Sequence, residues 1–278
     1  MDSLLYCSEK VAPFGSSHYY ALLWQPPKIR ARMLVVLALR QELLDIPARV
    51  SDGQLALTKL NWWRDELGRA ARGVAQHPVS SGLQPLLGEE LITLPELMSM
   101  CDGIEMLLHT GRFQDEPALQ TFCQQLGGQP WQLTARIAAP GSDSGQVYAA
   151  QVGVGLQLLE ILQNLVAEAQ RGMILAPVSM LERHNVPVDR LTSATSDEHF
   201  IALAADLLAQ SRAALLSARQ HLPGRVPAEL RYLAALSAMA NATAKELERS
   251  GLASLVNQRI SLTPVRKLLL AWKSRWFA

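Results

Sequence analysis

The stretch Val152–Pro177, VGVGLQLLEILQNLVAEAQRGMILAP, constrains the fold more than any other. Leu156, Leu159, Leu162 and Val166 recur at the spacing of one face of an α-helix. Gln157, Glu160, Asn164 and Glu168 recur in the same way and form a second, polar stripe. Gly153 and Gly155 precede both stripes, where missing side chains let a neighbour pack close. Arg171-Gly172 ends the helix, and Pro177 follows. A polar stripe on so apolar a helix either faces solvent or lines a cavity.

The rest of the chain repeats the helical period. The expected helices run over His18 to Trp24 with a Ser16-Ser17 cap, Ile29 to about Arg49, and Gln54 to about Arg72 with a Ser51-Asp52 cap. Further helices are expected over Glu89 to His109, Ala118 to Leu126, Trp131 to Ala138 and about Gln146 to Arg171. The last three cover Glu198 to His221, Glu229 to Arg249 and Val265 to Trp276, with Pro264 at the first helical position and Thr263 as cap. Residues 1–15 read as irregular, Pro47 as a kink or break, Gly73 to Gly88 as a loop with at most a short helix, and Gly127-Gly128 as an interruption. No run alternates with period two, and no loop is long or polar enough to divide the chain. The expected fold class is all-α: a single domain, residues 1–278, of about ten to twelve helices.

Composition removes several functions. Net charge is +1, so no broad basic field points to nucleic acid. Cys7, Cys101 and Cys123 form no metal-binding cluster, and an odd, sparse count suits a reducing cytoplasm. The six histidines are scattered, and no phosphate-binding loop or nucleophile elbow is present. The N-terminal MDSLLYCSEK has no secretory pattern. Met33 to Leu39 falls far short of the roughly 20 residues a spanning helix needs.

Five features in order carry a resemblance. They are Gly15-Ser16-Ser17-His18-Tyr19-Tyr20; Pro26-Pro27 with Arg30; Leu37-Ala38-Leu39-Arg40-Gln41-Glu42-Leu43; Leu60-Asn61-Trp62-Trp63-Arg64-Asp65-Glu66-Leu67; and Leu156 to Pro177. Together they resemble the squalene/phytoene synthase family over nearly the whole chain. The resemblance implies an isoprenoid-synthase-like helical bundle around a central apolar cavity. In active members, two aspartate-rich motifs on facing helices hold Mg²⁺, which ionises one prenyl diphosphate for head-to-head joining to a second.

The chain departs from that pattern at the metal motifs. Between Leu39 and Asp52 the acids are Glu42, Asp45 and Asp52, and no two are four apart. In the second motif the key aspartate is Asn164, the arginine Gln163, the glutamate Ala167 and the last aspartate Glu168. Met173 stands where an arginine usually follows the glycine. These departures resemble a branch of the family that includes a mitochondrial complex I assembly factor.

The resemblance gives Arg40, Gln41, Asp45, Arg64, Gln157, Glu160, Asn164 and Glu168 as cavity or ligand-binding candidates, with none assigned to catalysis or metal binding. It implies a catalytically degenerate member that binds an isoprenoid or lipid or assists assembly of a membrane complex, with no cofactor. Two alternatives stand beside it. One is an active prenyl transferase using Mg²⁺ on Glu42, Asp45, Glu160 and Glu168; the other is a partner-binding domain whose cavity is filled by its own side chains. The C-terminal segment carries Arg266, Lys267, Lys273 and Arg275 beside Leu268–Leu270, Trp272, Trp276 and Phe277. Such a helix either docks on its own domain or lies on a membrane surface. The expected location is cytoplasmic, peripheral on the inner face of a membrane.

Overall fold

Burial of apolar side chains decides where the helices lie. The computed structural model describes residues 2–50 and 52–277. The helices are α1 (Ser3–Val11), α2 (Ser17–Leu22), α3 (Pro27–Arg49), α4 (Gly53–Ala71), α5 (Pro78–Gly88), α6 (Leu94–Thr110) and α7 (Glu116–Cys123). A π turn at Gln124–Gly128 leads into α8 (Gln129–Ala138). Then come α9 (Asp143–Ala169), α10 (Val178–Arg183), α11 (Val188–Thr192), α12 (Glu198–Ala218), α13 (Arg231–Ser250) and α14 (Pro264–Phe277). Three of these are a turn or two long, so the number of substantial helices agrees with expectation. Among the described residues there is no strand, only an isolated bridge between Arg112 and Ile174.

The long helix α9 runs through the centre. Ser142 caps it by accepting from the Gly145 N–H. Its apolar face, including Val152, Leu159, Leu162, Leu165 and Val166, is buried. Two glycines set its neighbours. A Cβ on Gly153 would lie 2.3 Å from the Gly127 carbonyl oxygen, so α9 and the π turn meet backbone to backbone. A Cβ on Gly155 would strike Leu215 of α12, and the Ser211 hydroxyl donates to the Gly155 carbonyl at 2.7 Å. α12 is apolar and long enough to cross a bilayer by length and composition. Its Phe200, Leu203, Leu207, Leu208 and Leu215 are buried in this core instead.

Four expectations are corrected. Residues 1–15 are not irregular throughout, because α1 forms over Ser3–Val11. Asp2 caps it, and Cys7 and Val11, one turn apart, anchor it in the core. Gly73 to Gly88 holds a full helix, α5, capped by the His77 ring and buried through Val79, Leu83 and Leu86. Gly127-Gly128 does not interrupt the chain's coiling, since α7, the π turn and α8 run on without a loop. Helix α6 starts at Leu94 rather than Glu89, after a turn in which Glu90 adopts φ 56°, and a Thr93/Glu96 capping box defines its start. Pro47 lies inside α3, which continues to Arg49.

The expected caps at Ser16 and Asp52 each accept from a backbone N–H, and Asp197 does the same for α12. Ser51 lies outside the described residues. Of the adjacent tryptophans, Trp63 is buried and Trp62 is exposed. All three cysteines are free and buried.

Candidate functional site

The site is built where α3 faces α9. Arg40 is only 6% exposed and points across the gap. Its Nη2 donates to Glu160 Oε2 at 2.6 Å and to Gln157 Oε1 at 2.7 Å. Its Nε donates to the Leu126 carbonyl at 2.6 Å. One guanidinium therefore ties α3 to α9 and to the π turn with charge-assisted bonds.

Two clefts flank this bridge, and Glu160 and Arg259 belong to both. The larger, about 420 Å³, has an apolar wall of Leu156, Leu159, Leu236 and Met239, and a polar one of Ser16, His18, Arg259 and Lys267. The smaller, about 330 Å³, holds Gln41, Asp45, Gln157, Asn164 and Glu168. Seven of the eight sequence candidates thus gather around one bridge. Arg64 does not join them. It makes two hydrogen bonds to Glu105, at 3.0 and 2.8 Å, and one to Asp102 at 2.6 Å, all on α6.

Most acids here already have partners. Lys10 of α1 lies 2.7 Å from Glu42 and 2.8 Å from Asp45. Tyr6 donates to Glu42, Gln41 donates to Asp45 at 2.9 Å, and Arg49 sits 3.1 Å from Asp45. Burial pushes the Asp45 carboxyl upward, but Lys10, Gln41 and Arg49 outweigh it and hold the group below its ordinary value. Glu160 follows the same pattern: burial opposes its ionisation, and Arg40 overcomes that. Glu168 differs. Burial raises its carboxyl despite Arg171 at 3.0 Å, and its Oε2 has no hydrogen-bond partner among the described residues.

The opposite wall carries positive charge. Lys267 of α14 is 9% exposed, and its Nζ donates to the Gly15 carbonyl at 2.9 Å. Burial, then Arg259, pushes its ammonium below the ordinary lysine value. Neither Lys267 nor Arg259 makes an ion pair among the described residues. Burial, followed by Arg40, pushes His18 down to about 4, so its ring is neutral at pH 7 and stacks on Trp131. Gln163, which stands at the arginine position of the second motif, donates to the Ile260 carbonyl at 2.7 Å. It thereby holds the loop that carries Arg259 against α9.

The family model described as squalene/phytoene synthase matches residues 11–266. The chain belongs to the squalene/phytoene synthase family. A 15-cis-phytoene synthase of Synechocystis is 26% identical over 215 residues, 71% of this chain and 62% of that protein. The match therefore spans less than two thirds of that relative. The rat NADH dehydrogenase (ubiquinone) complex I, assembly factor 6, is 20% identical over 279 residues, 99% of this chain and 84% of that protein. A crystal structure of a dehydrosqualene synthase in complex with ligand superposes with a TM-score of 0.82 at 17% identity, covering 98% of this chain and 95% of that one. A squalene synthase from Alicyclobacillus acidocaldarius gives 0.75 at 17% identity, over 89% and 94%. These likenesses establish the isoprenoid-synthase fold.

Family reasoning did not select His18, Trp131, Arg259 and Lys267, although they line the larger cleft. His18 lies inside a motif that the resemblance used, so a signal for it existed. Arg259 sits in a loop, and Lys267 reads as one more surface cation on a basic helix.

Proposed function

We propose that this chain is a squalene/phytoene synthase scaffold that has given up Mg²⁺-dependent diphosphate ionisation. It holds an isoprenoid or other lipid through an acidic headgroup and assists a membrane-bound process by doing so. The observation that carries this reading is the Arg40 bridge. A fixed guanidinium on α3 grips Glu160 and Gln157 of α9, where family membership implies divalent ions between carboxylates.

The donor set does not fit Mg²⁺. That ion requires near-octahedral oxygen ligation and shares its carboxylates with substrate phosphates. Here Glu42, Asp45 and Glu160 are committed to Lys10, Arg49 and Arg40. Asn164 and Ala167 replace two acids of the second motif. No group of three or more metal-ligating side chains converges among the described residues. Among the described residues of the site, Asp45 Oδ2 faces Lys10 and Arg49 while Glu168 Oε2 has neither a hydrogen bond nor a cation, and one open carboxylate is too few to offset the dehydration of a divalent ion.

The larger cleft suits an anion instead. A buried ammonium beside a guanidinium, neither in an ion pair among the described residues, favours a negatively charged guest. The leucine and methionine wall next to them suits a hydrocarbon tail. The test is pyrophosphate release from farnesyl or geranylgeranyl diphosphate with Mg²⁺, with an Asn164→Ala/Glu168→Ala variant as control. The expected result is background release together with saturable thermal protection by the same lipids. Release that the double variant abolishes would overturn the proposal.

A second reading is favoured by one observation. The rat assembly factor aligns with 99% of this chain, whereas the Synechocystis synthase aligns with 71%. In that reading the scaffold serves a partner protein of a membrane complex, and the lipid site is its attachment to the bilayer.

A further inference from the structure

Helix α14 has two faces with different occupants. Lys267 and Ala271 are buried, and Ser274 lies on the same inward face. Lys267 and the preceding Leu262 line the larger cleft. The outward face carries Val265 (68% exposed), Leu268 (39%), Leu269 (56%), Trp272 (49%) and Trp276 (57%). At about 100° per residue these five fall within one arc of about 100°. Arg266 and Lys273 flank one side of the arc, and Arg275 flanks the other. Among the described residues, no other helix shows so many exposed large apolar residues on one face.

We propose that this arc docks on an anionic lipid bilayer, with α14 lying in the plane of the interface. Charge complementarity selects that occupant. From Arg249 to the last residue the chain has six lysines and arginines and no aspartate or glutamate, while the whole chain is almost neutral. Arg266 is paired with Glu246, but Lys273 and Arg275 have no carboxylate partner among the described residues. The Arg275 guanidinium sits over the Trp276 ring at 5.4 Å, which places a cation at the edge of the apolar arc. Tryptophan side chains with cations alongside suit the headgroup boundary, where the rings enter the lipid and the charges meet phosphate. A second copy fits less well, because a two-fold contact through this arc would set these cations against their own copies.

Docking in this pose would also place the cleft wall formed by Leu262 and Lys267 directly behind the lipid surface. The proposal does not depend on what fills the cleft, since the arc faces away from it.

Flotation of the full-length protein with vesicles tests this. The vesicles are phosphatidylcholine alone, or phosphatidylcholine with phosphatidylglycerol. The expected result is binding to the anionic vesicles that weakens with added salt, with a blue shift of tryptophan fluorescence. Leu269→Glu/Trp272→Glu should lower the affinity more than tenfold, and Lys273→Gln about fivefold. These side chains are already exposed, so an unchanged circular dichroism spectrum and Tm would show that the variants fold. Three outcomes would overturn the proposal. They are no binding to either vesicle, binding that the double variant retains, and a wild-type dimer that the double variant converts to monomer.

Discussion

Two walls of one interior carry opposite charge and treat it differently. On the α3–α9 side three carboxylates, Glu42, Asp45 and Glu160, are each neutralised by a cation from within the chain. On the facing wall, Arg259 and Lys267 make no ion pair among the described residues, although the Arg259 charge helps hold Glu160 ionised across the cleft. An active metal site would need the reverse: acids left open for ions, with cations supporting a departing diphosphate. Internal pairing closes most of the negative half, Glu168 excepted, whereas the positive half keeps its charge facing the cleft.

The most damaging way to break the closed half is to remove its keystone. Arg40→Leu should cost about 3 kcal/mol of stability in urea denaturation, because it strands Glu160, Gln157 and the Leu126 carbonyl. The Arg40→Leu/Glu160→Leu double variant should recover most of that loss. If the single variant costs as little as an exposed surface pair, about 0–1 kcal/mol, the bridge does not hold the halves together.

Gly153→Ala comes next, at about 1–3 kcal/mol, since its Cβ would meet the Gly127 backbone. It tests whether the α9–π-turn contact that positions the Leu126 carbonyl is as tight as the geometry states. A Tm unchanged within error would contradict it.

Acid should act at a similar scale. His18 is neutral in the fold and titrates at about 4, below its ordinary 6.5. The unfolded chain therefore takes up its proton first, and stability falls as pH drops from about 6.5 toward 4. Between pH 7 and 5 the expected loss is about 1–2 kcal/mol, counted at about 1.4 kcal/mol per unit and reduced for partial solvent access. His18→Gln should flatten that slope. Asp45 and Glu160, held below their ordinary values, contribute stability that is present above the usual carboxylate range and is lost at still lower pH. Stability that rises on acidification from pH 7 to 5 would contradict the burial of a neutral His18.

The smallest effect sharpens the open half. Lys267→Met removes a buried ammonium that makes no ion pair among the described residues, so the ligand-free protein should be unchanged or up to about 1 kcal/mol more stable. Protection by an acidic lipid should fall about tenfold. Destabilisation with unchanged lipid protection would make Lys267 a structural strut for the Gly15 loop.

How much of this was legible in the sequence follows from stripe width. Helix α9 could be read because its apolar and polar stripes both recur along its length, and its glycines marked close contact. Helix α1 could not, because two buried anchors and a capping aspartate leave little periodic signal in nine residues. The π turn was hidden for a different reason. Gly127 and Gly128 read locally as a break, but they are small because α9 lies against them. The site divides in the same way. The polar stripe located Gln157, Glu160, Asn164 and Glu168 on one side, and the family resemblance placed Arg40, Gln41 and Asp45 opposite. Arg64 also came from its motif, yet tertiary packing gives it to α6. Lys10, Arg259 and Lys267, which decide the charge balance, are brought in from distant segments by packing alone.

The most direct measurement is the thermal shift of the purified protein with farnesyl monophosphate and farnesyl diphosphate, each in EDTA and in Mg²⁺. The expected result is saturable stabilisation by both lipids in EDTA, little change on adding Mg²⁺, and loss of the effect in Lys267→Met. Stabilisation by the diphosphate that appears only with Mg²⁺ and disappears in Glu160→Gln would contradict it, because the carboxylate side would then be open to metal after all.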